Sequence, residues 1–147
     1  MQHNEQPTNE QKLDRFKEIC KTNGIKLTPQ RLIIYEQLIS TENHPSTDML
    51  YQEVKKTLPT ISFDTVHRTL LTFSEIGVAE IVEGTGNPKR FDGNLSKHHH
   101  FQCVRCKKIM DLYDTQLDRI PIPTAVPEDF QIFRASIMLE GLCPDCQ

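Results

Sequence analysis

The sequence predicts an α+β chain in two parts. An N-terminal series of short helices closed by a hairpin precedes a smaller C-terminal part of mixed strand and helix. Three observations predict it. Apolar residues recur at helical spacing in successive segments before Gly77, each with its own start and stop signals. Gly84-Thr85-Gly86-Asn87-Pro88 then separates two short strand-like runs. Finally, two Cys-x-x-Cys pairs, Cys103-Val104-Arg105-Cys106 and Cys143-Pro144-Asp145-Cys146, flank the last third of the chain.

From about Glu10 to Thr22, Leu13, Phe16 and Cys20 share one helical face, and Asn23-Gly24 supplies a stop. Thr28 caps the next helix, and Pro29 fits its first position because proline has no amide hydrogen to lose. Leu32, Ile33, Tyr35 and Leu38 supply its buried face. Ser46 or Thr47 caps a third helix with Met49, Leu50 and Val54 inward, ending near Leu58-Pro59. Ser62 caps a fourth, in which Val66, Leu70 and Phe73 face inward until Gly77; Thr65, His67, Arg68, Thr69 and Thr72 lie opposite. Val78 to Val82 reads as a strand and Lys89 to Asp92 as its return across the turn at 84–88. The last three of these helices, the final one polar on one face, and the hairpin make a winged helix-turn-helix, in which the third helix of that trio enters the major groove of DNA. Periodicity alone equally admits a small helical domain whose polar face meets water.

Four thiolates at the cysteine spacing can close a tetrahedral shell around zinc. A run of His98, His99 and His100 sits just upstream, and imidazoles with nearby carboxylates suit a harder, exchangeable metal. With 37% hydrophobic and 25% charged residues the composition is that of an ordinary soluble protein, and no apolar run approaches a bilayer's thickness. The polar start, Met1 to Gln6, lacks the regions of a signal peptide, so the expected setting is cytoplasmic, where paired cysteines hold metal rather than form disulfides. Charge points to no partner: 11 Lys+Arg face 13 Asp+Glu up to Gly93, and 6 face 7 after it. Neither part has the basic excess of strong non-specific nucleic-acid binding. Cys143-Pro144-Asp145-Cys146 does not match the Pro-Cys-x-x-Cys order of a zinc deaminase, and two pairs argue against a thiol oxidoreductase, so no enzyme is expected.

Several segments together carry a family resemblance: Thr28-Pro29-Gln30-Arg31, His44-Pro45-Ser46-Thr47-Asp48, Ser62 through Leu70, Arg90-Phe91-Asp92, His98 through Cys103, and Gly141 through Cys146. In order and spacing the chain resembles the ferric uptake regulator family over most of its length. The resemblance implies a dimeric, metal-dependent transcription regulator of bacteria. A winged-helix DNA-binding domain, residues 1–92 with a hinge at about 90–97, would precede an α/β dimerisation and metal-binding domain, 98–147. It further implies DNA contacts from Arg31, Thr65, His67 and Arg68, one structural zinc per chain on Cys103, Cys106, Cys143 and Cys146, and one regulatory Fe(II) or Mn(II) on His44, Asp92, His98, His100 and Asp111. If His98 to Cys103 is a strand, alternation independently puts His98 and His100 on one face and His99 on the other.

Such a donor set spans both parts, so a bound ion would select an interdomain angle and hence the spacing of two recognition helices in a dimer. The set lacks sulfur and admits Fe(II), Mn(II) or Zn(II). Three His with two Asp, and no His after His100, resemble the family's peroxide-sensing branch more than its iron-uptake branch. That likeness implies a repressor of palindromic operators that peroxide inactivates by iron-catalysed oxidation of His44 or His98, with peroxide a signal rather than a substrate. An iron- or manganese-availability sensor of the same family is the nearer alternative, and a zinc-stapled interaction module without DNA binding the farther one. Read singly, His44 is a loop residue, Asp92 and Asp111 are solvated carboxylates, and the His run is a polar tract.

The chain departs from the family pattern in two places. His67 stands where the family usually has Tyr, and Pro121 to Pro127 interrupts what is often a longer helix, which should therefore end near Ile120. Phe130 to Leu139 then alternates like a strand, and Gly141 is expected to turn the chain back toward Cys103.

Overall fold

The structure, a computed structural model, describes residues 7–42, 44–82 and 89–147. The chain divides into two compact units, the first running to Ser96 and the second from Lys97 to Gln147. No helix among the described residues is long and apolar enough to cross a membrane.

In the first unit each helix begins where a side chain satisfies the amides a helix start leaves over. α1 (Asn9–Thr22) opens on a reciprocal cap: the Thr8 hydroxyl accepts from the Gln11 amide at 3.1 Å, and the Gln11 side chain accepts from the Thr8 amide at 2.8 Å. Gly24, at φ 67°, leads the chain out. α2 (Pro29–Ser40) is capped by Thr28 with Pro29 in its first turn. Ile34, Tyr35 and Leu38 are its buried residues, whereas Leu32 and Ile33 are half-buried. The expected face is rotated because α2 packs against α1, α3 and α4 at once, and Ile34 takes the central position.

α3 (Thr47–Thr57) is capped by Ser46 and buries Leu50 and Val54. Met49, expected inside, is exposed, its sulfur 3.6 Å from an Arg90 guanidinium nitrogen. α4 (Phe63–Glu75) is capped by Ser62 and buries Val66, Thr69, Leu70 and Phe73. Thr69 therefore belongs to the inner face rather than the polar one; its hydroxyl donates to the Thr65 carbonyl at 2.7 Å, which makes burial tolerable.

An aromatic triad joins three of these helices. Phe16 stacks on Tyr35 with centroids 4.0 Å apart, and Phe73 meets both rings edge-on at 5.2 and 6.0 Å. The Tyr35 hydroxyl donates to the Lys12 carbonyl at 3.0 Å, and burial pushes its pKa up to about 12.

β1 (Glu80–Val82) pairs antiparallel with β2 (Arg90–Asp92). The first strand begins later than Val78 because the amides of Val78 and Ala79 both bond the Phe73 carbonyl, finishing α4 instead. The expected turn at 84–88 lies outside the described residues. Ser46 bridges Arg90, and the Phe91 amide donates to the Pro45 carbonyl at 2.9 Å, so the segment before α3 lies along β2.

The second unit is a three-stranded sheet in the order β4-β3-β5. β3 (His99–Cys103) pairs antiparallel with β4 (Ile109–Leu112) and parallel with β5 (Met138–Gly141). α5 (Thr115–Asp118), capped by Asp114, stops before Pro121, near the expected end. The strand expected over Phe130–Leu139 is a correction: it covers Met138–Gly141 only. β5 has β3 as its partner, which offers a ladder from His100 to Cys103, and upstream Phe130 and Phe133 are exposed, the latter by 88%. Gly141 does not turn the chain either. It continues β5 opposite Cys103, where a Cβ would meet the Phe101 ring at 3.2 Å, so close approach is what glycine permits there.

Candidate metal centres and nucleic-acid face

The sulfurs of Cys103, Cys106, Cys143 and Cys146 lie within 4.8 Å of one another. Cys103 ends β3, and a tight turn through Lys107, at φ 65°, returns the chain so that the Cys103 amide bonds the Lys108 carbonyl at 3.0 Å. The parallel register of β5 delivers the second pair, which a one-turn 3-10 helix, Pro144–Cys146, presents. Arg105 donates to the Cys146 carbonyl at 2.6 Å and ties the two loops. The Cys106 and Cys143 sulfurs are 3.8 Å apart and all the cysteines are free. That separation is far beyond a disulfide and is the edge, about 3.8 Å, of a thiolate tetrahedron around zinc at about 2.3 Å. Hydrogen bonds from the backbone amides of Cys143 and Cys106 hold the Cys103 thiol down, to about 5; hydrogen bonding to the Cys143 side chain and burial push Cys146 up. The four-sulfur donor set fits a soft divalent cation.

The sheet of the second unit builds a different group of donors. His100 lies directly opposite Asp111 across the β3–β4 ladder. Asp111 Oδ1 is 3.4 Å from His100 Nε2 and 3.5 Å from His98 Nε2, and the two imidazoles meet edge-on at 4.6 Å. Both histidines are buried, and His98 also stacks on Tyr113. These atoms face one another at the spacing of ligands around a small ion, and their nitrogen and oxygen chemistry fits Fe(II), Mn(II) or Zn(II). His99 points to the other side, with Nε2 2.9 Å from Asp118 Oδ1 and Nδ1 accepting from the Ile137 amide at 3.0 Å. The alternation read from the sequence therefore holds.

In the first unit, His44 Nε2 lies 3.2 Å from Asp92 Oδ2, with both residues buried. His44 adopts φ 49°, a left-handed conformation unusual for a non-glycine residue. Arg90 donates to its carbonyl at 3.1 Å, and Pro45 follows it. Asp92 Oδ1 accepts from the Asn94 amide at 2.8 Å, which aims the other oxygen at the imidazole. A strained backbone held from β2 thus presents one imidazole and one carboxylate.

The candidate DNA contacts fall on two helices. Arg68 is exposed on α4 and pairs with Asp64 at 3.0 Å, a solvated pair worth about 0.3–0.5 kcal/mol. Thr65 shares a hydrogen bond with the capping Ser62 at 2.8 Å. His67 is half-buried rather than turned outward: its Nδ1 is 2.9 Å from Thr47 Oγ1, and its ring stacks on Phe63. Arg31, on α2, donates to the Lys26 carbonyl at 2.6 Å and braces the loop before its helix. Phe63, 45% exposed at the start of α4, backs the His67 ring and meets Tyr51 edge-on; its four-residue spacing from His67 is the signal of that stacking in the sequence.

A winged-helix unit followed by a sheet unit with a four-sulfur cluster and buried imidazole–carboxylate donors defines a metal-dependent regulator. The Ferric uptake regulator family matches residues 22–140, and the chain belongs to that family. It is 34% identical over 127 residues to the peroxide-responsive repressor PerR of Staphylococcus saprophyticus, an alignment spanning 86% of each chain. Among solved structures, the ferric uptake regulator of Helicobacter pylori superposes with a TM-score of 0.78 at 20% identity, covering 95% of this chain and 94% of that one. The Vibrio cholerae ferric uptake regulator superposes with a TM-score of 0.70 at 26% identity, covering 87% and 99%. Members of the family are transcriptional regulators rather than enzymes, and a solved structural neighbour is a zinc uptake regulator in complex with zinc and DNA.

Proposed function

We propose that this chain is a metal-dependent repressor that binds palindromic operator DNA as a cytoplasmic dimer and releases it when peroxide oxidises a ligand histidine. The observation that carries the reading is the pair of donor groups, His44–Asp92 in the first unit and His98–His100–Asp111 in the second, buried except for the half-buried Asp111, each set in place by its own unit and free of sulfur. One regulatory ion held by all five would couple the arrangement of the units to metal occupancy, a linkage typically worth about 1–3 kcal/mol. Similarity to a peroxide-responsive repressor supports the choice of signal.

In this reading the residues 1–92 form the DNA-binding domain, with Thr65, Arg68 and the anchored His67 on α4 and Arg31 on α2 meeting the duplex. Residues 98–147 form the dimerisation domain. Exposed Ile120, Ile122, Phe130 and Phe133 supply apolar surface of the kind that marks a protein–protein contact. The cysteines would hold one structural zinc per chain, and the five His and Asp residues one Fe(II) or Mn(II). Iron(II) held there would activate hydrogen peroxide for O–O cleavage; overall one peroxide oxygen would add to the imidazole of His44 or of His98, which supplies the two electrons, and the other oxygen would leave as water. An imidazole so modified would no longer hold its place in the donor set.

The test is DNA binding by protein whose operator has been selected from random duplexes, with chelator, Mn(II) or Fe(II). Binding should require metal, and peroxide should abolish it in the Fe(II) form alone. Loss with both metals would overturn the oxidation mechanism, and peroxide indifference with dependence on metal concentration would favour an availability sensor. Zinc retention without any DNA selection would leave an interaction module.

A further inference from the structure

We propose that His99 is a positioning residue for the regulatory donors of the second unit, clamping β3 so that His98 and His100 stay on the side of Asp111. The inference rests on the reading above that those donors hold a metal. His99 is 1% exposed and both ring nitrogens are engaged. Because Nδ1 accepts from the Ile137 amide, the ring proton sits on Nε2 and is donated to Asp118 Oδ1 at 2.9 Å.

The clamp closes on itself. The same Ile137 accepts at its carbonyl from the His100 amide at 3.0 Å, while Lys97 donates to the Asp118 carbonyl at 2.9 Å. Residues on either side of His99 are thus tied to the two segments that His99 itself grips, the end of α5 and the residue preceding β5. A one-residue slip of β3 would exchange the faces of all three histidines, and these bonds oppose it. Burial of an ordinary apolar side chain at this position would fill the space without supplying either bond.

The experiment measures Mn(II) affinity by titration of zinc-replete His99→Leu, Asp118→Ala and Asp118→Asn dimers, with zinc content determined in parallel. Losing a group bonded directly to a metal ligand typically costs about 10–100-fold in affinity; His99 acts one step further back, through the strand that carries the ligands, so the lower end, about tenfold, is expected for His99→Leu and Asp118→Ala with zinc retained. Asp118→Asn keeps an acceptor oxygen and should stay within about threefold of wild type. The double variant His99→Leu with Asp118→Ala should be no weaker than His99→Leu alone, because both sever one clamp. Wild-type Mn(II) affinity in His99→Leu overturns the proposal. If His99→Leu loses its zinc as well, Asp118→Ala decides, and wild-type affinity there overturns it. A wild-type protein that binds no Mn(II) overturns the metal reading itself, and this inference with it.

Discussion

The cysteine cluster and the histidine–aspartate donors contrast in composition and in origin. The four sulfurs come from two loops of a single sheet unit, brought together by the parallel register of β5 on β3. The imidazoles and carboxylates are divided, two residues in the first unit and three in the second. An ion closed within one unit can stabilise that unit but has no second arrangement to choose. An ion whose ligands are shared between two units stabilises one arrangement at the expense of others, and this is what a switch requires. Under the proposed function, the contrast separates a staple from a sensor.

The largest expected effect strikes the staple. Cys106→Ser should abolish stoichiometric zinc and unfold the second unit, since structural zinc carries apparent binding energies of roughly 10–16 kcal/mol in small peptides. Circular dichroism with metal analysis checks this; a folded, zinc-free variant would break the contrast. Next comes Asp111→Asn, which removes one charge from the divided donors. We expect Mn(II) affinity to fall on the order of 100-fold, with metal-dependent DNA binding lost and zinc and melting temperature retained. If zinc is lost as well, the two sets are one cooperative site.

Two smaller effects, both in the first unit, calibrate these. Ser62→Ala removes the cap of α4 and should cost about 1 kcal/mol in denaturant unfolding without changing zinc content. Tyr35→Phe removes the bond to the Lys12 carbonyl, about 1 kcal/mol at neutral pH. It should also flatten the alkaline limb of stability. The Tyr35 pKa is raised to about 12 in the folded chain, against about 10 unfolded, so its contribution is complete below about pH 10 and disappears as pH rises toward 12. An unchanged alkaline limb would place the titration elsewhere.

Much of this was legible from local rules. Thr28 and Ser62 cap the helices assigned to them, and Gly24 and Gly77 take the positive φ expected at helix ends, because caps and stops depend on neighbours within a few residues. The paired cysteines and the two-residue alternation of His98 to His100 were readable for the same reason. What escaped depends on segments distant in sequence. The sequence put His67 and Thr69 on an outward face, but Thr47 on the preceding helix draws His67 inward and the core takes Thr69. Alternation from Phe130 suggested a long strand, yet the length of β3 sets how much of it can pair. The partners of His99, nineteen and thirty-eight residues away, leave no periodic trace.

The most direct measurement of the division between staple and sensor is peptide mass spectrometry of the Fe(II) and Mn(II) forms after peroxide treatment. One added oxygen is expected on the peptide carrying His44 or His98 in the Fe(II) form, none in the Mn(II) form, with the four paired cysteines unmodified in both. Oxidation confined to Cys103, Cys106, Cys143 and Cys146, whichever metal is present, would make the sulfur cluster the sensor and contradict that division.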